Sequence, residues 1–157
     1  SVSSLSLSPQ VHCIELDVLP ETRDAINRHP LSSMINIYEG SSIKNETYDA
    51  VFSNLREGER PLVILDSCHT SEHVLKELLI YSKLVPSNGS LIVCDTTVGV
   101  VGPAFEGCKY GVGNSSNPLL GLEEFLSMDE GSDFSLKNDV NDGLLVSSNF
   151  SGYLKRI

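Results

Sequence analysis

The run Asp66-Ser67-Cys68-His69 puts a carboxylate, a hydroxyl, a thiol and an imidazole into four consecutive residues, and a second carboxylate, Asp95, closes the next apolar run. Such a set supports two kinds of chemistry. Two carboxylates at neighbouring strand ends can share a hard cation such as Mg2+, which takes one or two protein carboxylates and completes its shell with water and substrate. An imidazole beside them can take a proton near neutrality, because its ordinary pKa is about 6.5. Each residue also has a plainer role: Asp66 as cap of the following helix, Asp95 as a turn residue, His69 as a polar surface side chain. Residue types alone leave both readings open. His69, His73 and Asp66 also suggest the two-His, one-carboxylate set of an iron site. That reading is the weaker one, because His69 precedes the helix while His73 lies inside it, so helical alignment of the two rings is not given.

The elements that must hold these residues are legible from periodicity. Val11 to Asp17 reads as a strand ending on the acids Glu15 and Asp17, and Pro20-Glu21 suits a helix start. That helix must stop before Pro30. Met34 to Glu39 is the next strand, Gly40-Ser41-Ser42 turns out of it, and Tyr48, Val51, Phe52 and Leu55 form the stripe of a helix closed by Gly58. Leu62 to Leu65 and Leu91 to Cys94 are continuous apolar runs, as expected of strands covered on both faces. Between them Ser71 to Val85 reads as an amphipathic helix, giving a β-α-β repeat. Gly99 to Gly113 suits a loop over a site, and Leu119 to Leu126 a short helix. Phe134 to Lys137 and Leu144 to Ile157 alternate around Asn141-Asp142-Gly143, a hairpin signal that predicts an antiparallel edge. Open parallel sheets bind ligands beyond the carboxyl ends of their strands. In this chain that edge would collect Glu15, Asp17, Glu39, Asp66 and Asp95.

Bulk properties narrow the partners. The 157 residues, 40% hydrophobic, suffice for one core, and one domain over 1–157 is the expectation. A net charge of −10 without a basic run disfavours nucleic acid and membrane surfaces. No apolar run reaches the roughly 20 residues a membrane span needs, so a soluble protein follows. Cys13, Cys68, Cys94 and Cys108 have no C-x-x-C spacing and read as reduced, mostly structural thiols, two of them in buried strands. The N-x-S/T sequons at Asn45, Asn88, Asn114 and Asn149 read as unused. Gly111-Val112-Gly113 follows a loop and is no dinucleotide fingerprint, while phosphate-loop and G-x-S-x-G patterns do not occur.

Several stretches carry a family resemblance: Val11-His-Cys-Ile-Glu-Leu-Asp17, His29-Pro-Leu31, Glu39-Gly-Ser-Ser42, Leu65-Asp-Ser-Cys-His69, His73-Val-Leu-Lys-Glu-Leu78, Tyr81-Ser-Lys-Leu-Val85, Gly89-Ser-Leu-Ile-Val-Cys-Asp-Thr96 and Gly152-Tyr-Leu-Lys-Arg156. In order and spacing they resemble the cephalosporin hydroxylase family, whose members look like Rossmann-type methyltransferases and are related to rhamnosyl O-methyltransferases. The resemblance implies an α/β fold with a Rossmann-like class I methyltransferase sheet, mostly parallel, with a C-terminal antiparallel edge and lacking its first strand. It implies S-adenosylmethionine as cofactor, with Mg2+ as an optional second one. Glu15, with Asp17 close by, would hold the ribose hydroxyls and Ser41 would lie at the adenine. Asp66 would serve the cofactor side and, with Asp95, the metal; His69 would face the substrate hydroxyl, making His69 and Asp66 the catalytic pair. The acceptor would be a small hydroxylated molecule such as a sugar, the location cytoplasmic, and self-association into a homo-oligomer is compatible with it.

Two positions depart from the family pattern. Cys94 stands where a Glu usually precedes the Asp, and Cys68 where an Asp is usual, which weakens a site for a cation that prefers oxygen. The family's fold also begins with a strand and Gly-rich turn around the methionine part of the cofactor, and this sequence starts after it. The competing readings are a truncated or degenerate methyltransferase domain with a binding role and a receiver-like signalling module. The latter needs paired acids after its first strand and a Lys after its last, and the Lys is missing.

Overall fold

The computed structural model describes residues 9–101, 115–144 and 146–157. These residues fall into two compact units, divided between Glu59 and Arg60, each with its own sheet.

The first unit is built on a parallel pair, β1 (Val11–Glu15) and β2 (Ile35–Glu39), in a register that sets Val11 beside Ile35 and Glu15 beside Glu39. Helix α1 (Pro20–Asn27) connects them. Its proline occupies the first turn, where no N–H is needed, and Glu21 faces the positive helix end. Chain geometry before Pro30 stops it. The peptide N–H of Gly40 then bonds the Glu15 carbonyl at 2.9 Å, extending the pairing one residue past β2. Gly40 sits at φ +142°, and a Cβ there would lie 2.6 Å from Thr47 Oγ1, so only glycine fits where the turn meets α2 (Asn45–Asn54). Val51 of the expected α2 stripe is buried, whereas the helix ends at Asn54 and leaves Leu55 as an extended cap. Cys13 is exposed, correcting the expectation that it sits in a buried strand.

The second unit carries a four-stranded sheet in the order β3-β4-β6-β5. Strands β3 (Val63–Leu65) and β4 (Ser90–Val93) are parallel, joined through α3 (Ser71–Tyr81) and a short 3-10 turn at Ser82–Leu84. β6 (Tyr153–Arg156) inserts between β4 and β5 (Phe134–Leu136), antiparallel to both. The antiparallel edge is therefore present. Its connection is not a hairpin: Asn141-Asp142-Gly143 lies in helix α6 (Asn138–Gly143), because the return strand begins only at Tyr153 and a tight turn at Gly143 would misregister it. A short helix α4 (Thr97–Val101) also replaces the start of the expected loop at Gly99, while Gly102 to Gly113, with Cys108 and the Gly111-Val112-Gly113 triplet, falls outside the described residues.

One side of this sheet is filled by α3 and α5 (Pro118–Leu126), with Leu78, Val85, Leu91, Val93, Leu122, Phe125 and Leu154 essentially inaccessible. Gly121 permits the close approach, since a Cβ on it would sit 2.5 Å from the Ser71 carbonyl oxygen. Asn117 caps α5 by accepting the Leu120 N–H at 3.1 Å. The apolar run at Leu62 to Leu65 is covered on one face only: Val63 and Leu65 are buried, while Leu62 and Ile64 are more than half exposed. Among the described residues no helix is long and apolar enough to cross a membrane.

Candidate active site

Parallel pairing of β3 with β4 brings the ends of the two strands level, with Leu65 opposite Val93 and the Cys94 N–H bonded to the Leu65 carbonyl at 2.9 Å. The residues that follow, Asp66 and Asp95, therefore emerge side by side. His69 folds back from the loop before α3 to stand between them. Its Nε2 lies 3.3 Å from Asp66 Oδ1 and its Nδ1 3.6 Å from Asp95 Oδ2. One ligand atom from each of Asp66, His69 and Asp95 falls within 4.8 Å of the others. Asp66 and His69 share the loop between β3 and α3 while Asp95 follows β4, and all three retain access to solvent.

The donor set fits a hard divalent ion in part. The carboxylates of Asp66 and Asp95 can reach one ion at about 2.1 Å after small side-chain adjustments, leaving positions for water and substrate oxygens and the imidazole beside it. Cys94 contributes no thiolate: its pKa is pushed up to about 11, first by burial and then by the charges of Asp66 and Asp95, with a hydrogen bond from Asn149 acting the other way. Cys68 is exposed and makes a 3.7 Å contact with Thr70 Oγ1. His73 does not join the cluster. Its Nε2 stands 3.6 Å from Oε1 of the buried Glu77, which also accepts a 2.7 Å hydrogen bond from Ser67 Oγ. An iron set of His69, His73 and Asp66 is thus not assembled.

Beside Asp95, the residues Thr97, Val98, Val101 and Ser148 line an open pocket of about 210 Å³. The involvement of Ser148 and Asn149 is what sequence reading missed. Asn149 accepts the Asp95 N–H through Oδ1 at 2.9 Å, yet in the sequence it stood out only as a sequon.

In the first unit, Glu15, Asp17 and Ser41 gather at the carboxyl end of the β1–β2 pair. Glu15 and Ser41 are drawn together by the Gly40 to Glu15 backbone bond. Glu39, the register partner of Glu15, is held by Arg23 at 2.7 Å, whereas the Glu15 carboxylate caps the neighbouring Leu16 N–H at 3.1 Å. Asp17 is exposed. Glu15, Asp17 and Glu39 thus follow or end the strands of one sheet, and Asp66 and Asp95 follow those of the other.

A parallel β-α-β sheet with acids at its strand ends and an antiparallel strand inserted beside its edge defines a Rossmann-like methyltransferase fold. The family comparison is specific: the rhamnosyl O-methyltransferase/CmcI family matches residues 2–157, and the chain belongs to it. Among solved structures the chain is similar to the MycE methyltransferase from the mycinamycin biosynthetic pathway, in complex with Mg, SAH and mycinamycin VI. That match is 17% identical with a TM-score of 0.54, and it covers 94% of this chain and 36% of that one. The chain thus spans about a third of that protein's length. No curated protein matches it.

Proposed function

We propose that this chain belongs to an S-adenosylmethionine-dependent O-methyltransferase acting on a hydroxyl of a sugar or another small molecule in the cytoplasm. The observation that carries the reading is the convergence of Asp66, His69 and Asp95 within 4.8 Å at the ends of two adjacent parallel strands. Family membership and the fold shared with a methyltransferase bound to SAH and Mg support it. Glu15, with Asp17 beside it, is the candidate for the ribose hydroxyls, and Ser41 for the adenine. Asp66 and Asp95 would hold Mg2+, which would lower the pKa of an acceptor hydroxyl. The sulfonium of the cofactor supplies an electrophilic methyl group.

The chain's own part is proton transfer and orientation. The 3.3 Å contact with Asp66 holds the imidazole in place while His69 takes the acceptor proton. Nδ1, at 3.6 Å from Asp95, is beyond hydrogen-bond reach and is the nitrogen left to face the acceptor. Holding an acceptor oxygen in line with the methyl group that a bound cofactor would supply, with the sulfur as leaving group, would be the remaining contribution of the site. The pocket beside Asp95, with Val98 and Val101 in its wall, suits the apolar side of the acceptor.

A non-catalytic binding role is the second reading, favoured by Cys94: a neutral thiol stands where the family offers a carboxylate. One set of measurements separates the two. Calorimetry with S-adenosylmethionine and SAH, then methyl transfer to a panel of hydroxylated small molecules with and without chelator, should show turnover that His69→Gln lowers by about 10²-fold or more. Cofactor binding with no turnover on any acceptor supports the binding role. Turnover untouched by His69→Gln removes His69 as the base.

A further inference from the structure

The carboxylate of Asp95 is aimed by its backbone, and that backbone is in an unusual state. Its φ is +54°, the left-handed region that a side chain with Cβ enters at a cost and keeps only when neighbours hold it there. The neighbours come from 50 or more residues away. Thr96 Oγ1 donates to the Phe150 carbonyl at 2.6 Å, Thr97 Oγ1 to the Ser147 carbonyl at 2.8 Å, and the Thr97 N–H to the Ser148 carbonyl at 3.1 Å. Gly152 lies so close to the Val93 carbonyl that a Cβ has no room there, and its own carbonyl accepts the Val93 N–H at 2.8 Å. These contacts fasten a strap, residues 147–152, to the residues around Asp95. The hydrogen bond to Asp95 itself comes from a side chain, Asn149, whose Oδ1 accepts its N–H at 2.9 Å. Asn149 is braced in turn, its N–H bonded to Ser147 Oγ at 3.0 Å and its Oδ1 accepting Ser148 Oγ at 3.0 Å.

We propose that Asn149 is a positioning residue that directs the Asp95 carboxylate toward Asp66 and His69, and so sets the cation affinity and turnover of the site. This rests on the reading of Asp66 and Asp95 as cation ligands. Without the Asn149 bond the Asp95 peptide is free to relax to negative φ, which swings the carboxylate away from His69. A residue in the tail of the domain thereby controls a ligand at the end of β4.

The test measures Mn2+ binding by electron paramagnetic resonance, amide hydrogen exchange at Asp95 and steady-state methyl transfer in the wild-type protein, Asn149→Ala, Asn149→Asp, Asp95→Ala and the Asn149→Ala/Asp95→Ala double variant. Asn149→Ala should weaken Mn2+ about fivefold, speed exchange at the Asp95 amide, and lower kcat with the KM for S-adenosylmethionine unchanged. Asn149→Asp keeps an oxygen acceptor and should restore slow exchange together with kcat, which separates the bond from the added charge. In the double variant the loss should not exceed that of Asp95→Ala alone. Should Asn149→Ala fail to fold, Asn149→Gln, which shifts the amide by one methylene, carries the same comparison. If Asp95→Ala weakens Mn2+ while Asn149→Ala does not, or if the two losses add in full, this inference is overturned and the site reading stands. If Asp95→Ala itself changes nothing, both fall.

Discussion

Gly121→Ala perturbs the contact on which the second unit's helical layer depends. Gly121 is buried on α5, and a Cβ placed there meets the Ser71 carbonyl oxygen at 2.5 Å, the Ser71 carbonyl carbon at 3.2 Å and the Val74 Cβ at 3.2 Å. Ordinary contact begins near 3.4 Å, so α3 and α5 must separate by several tenths of an ångström, and backbone rather than a flexible side-chain tip must move. Overpacking of this kind costs about 1–3 kcal/mol. Alanine regains up to about 1 kcal/mol over glycine within a helix. Because backbone must move, the cost falls in the upper part of the overpacking range, about 2–3 kcal/mol, so the net loss should be about 1–2 kcal/mol, which for a chain of this size lowers Tm by roughly 2–8 °C. Because Ser71 is the first residue of α3 and follows His69 by two positions, the displacement should also reach the site, lowering kcat more than it raises the KM for S-adenosylmethionine. Thermal unfolding followed by circular dichroism, paired with steady-state kinetics, measures both effects. An unchanged or raised Tm would show that helix propensity outweighs the clash and would refute the tight α3–α5 contact as the reason for glycine.

Ser67→Ala should destabilise by about 1–3 kcal/mol in urea titration, because it removes the hydroxyl donor from a Glu77 carboxylate that is only 3% exposed; a neutral result would mean that solvent reaches Glu77. In alkylation mapped by mass spectrometry at pH 8, the exposed Cys13 and Cys68 should be labelled well before Cys94, of which about one thiol in a thousand is ionised when its pKa is near 11. Labelling of Cys94 should rise about tenfold per pH unit up to that value. Since the folded pKa of Cys94 lies above that of an unfolded thiol, its contribution to stability is complete below about pH 8.5 and is lost as pH climbs toward 11.

How far the sequence anticipates the structure depends on the range of the interaction that decides each element. Helices α1, α3 and α5 were legible to within a few residues, because proline positions and apolar stripes act over one or two turns. The pairing of Asp66 with Asp95 was legible as well, since a β-α-β crossover sets consecutive parallel strands side by side. What escaped is what distant residues decide. Asn141-Asp142-Gly143 has the local chemistry of a hairpin turn, yet the register of β6 against both β4 and β5 places it in a helix. The exposure of Ile64 contradicts its apolar run, because coverage of a strand face is a property of the assembled layers. The grip of Asn149 on Asp95 spans 54 residues and leaves no periodic trace.

The place of β6 in the sheet also bears on how the second unit comes into being during synthesis. β6 is translated after the other three strands, yet it lies in the interior, bridging β4 and β5, with partners as far apart as Ser90 and Lys155. Until it emerges from the ribosome, β4 and β5 have no edge to share, and the strap that carries Asn149 has nothing to anchor it. Loop closure over such distances is slow, so the nascent segment spends its longest wait with β4 unpaired on one side. Until then β4, with its apolar Leu91 and Val93, lacks the partner that β6 provides. Completion of the sheet by β6 and the anchoring of Asp95 through Asn149 are thereby coupled, since both depend on residues 147–156.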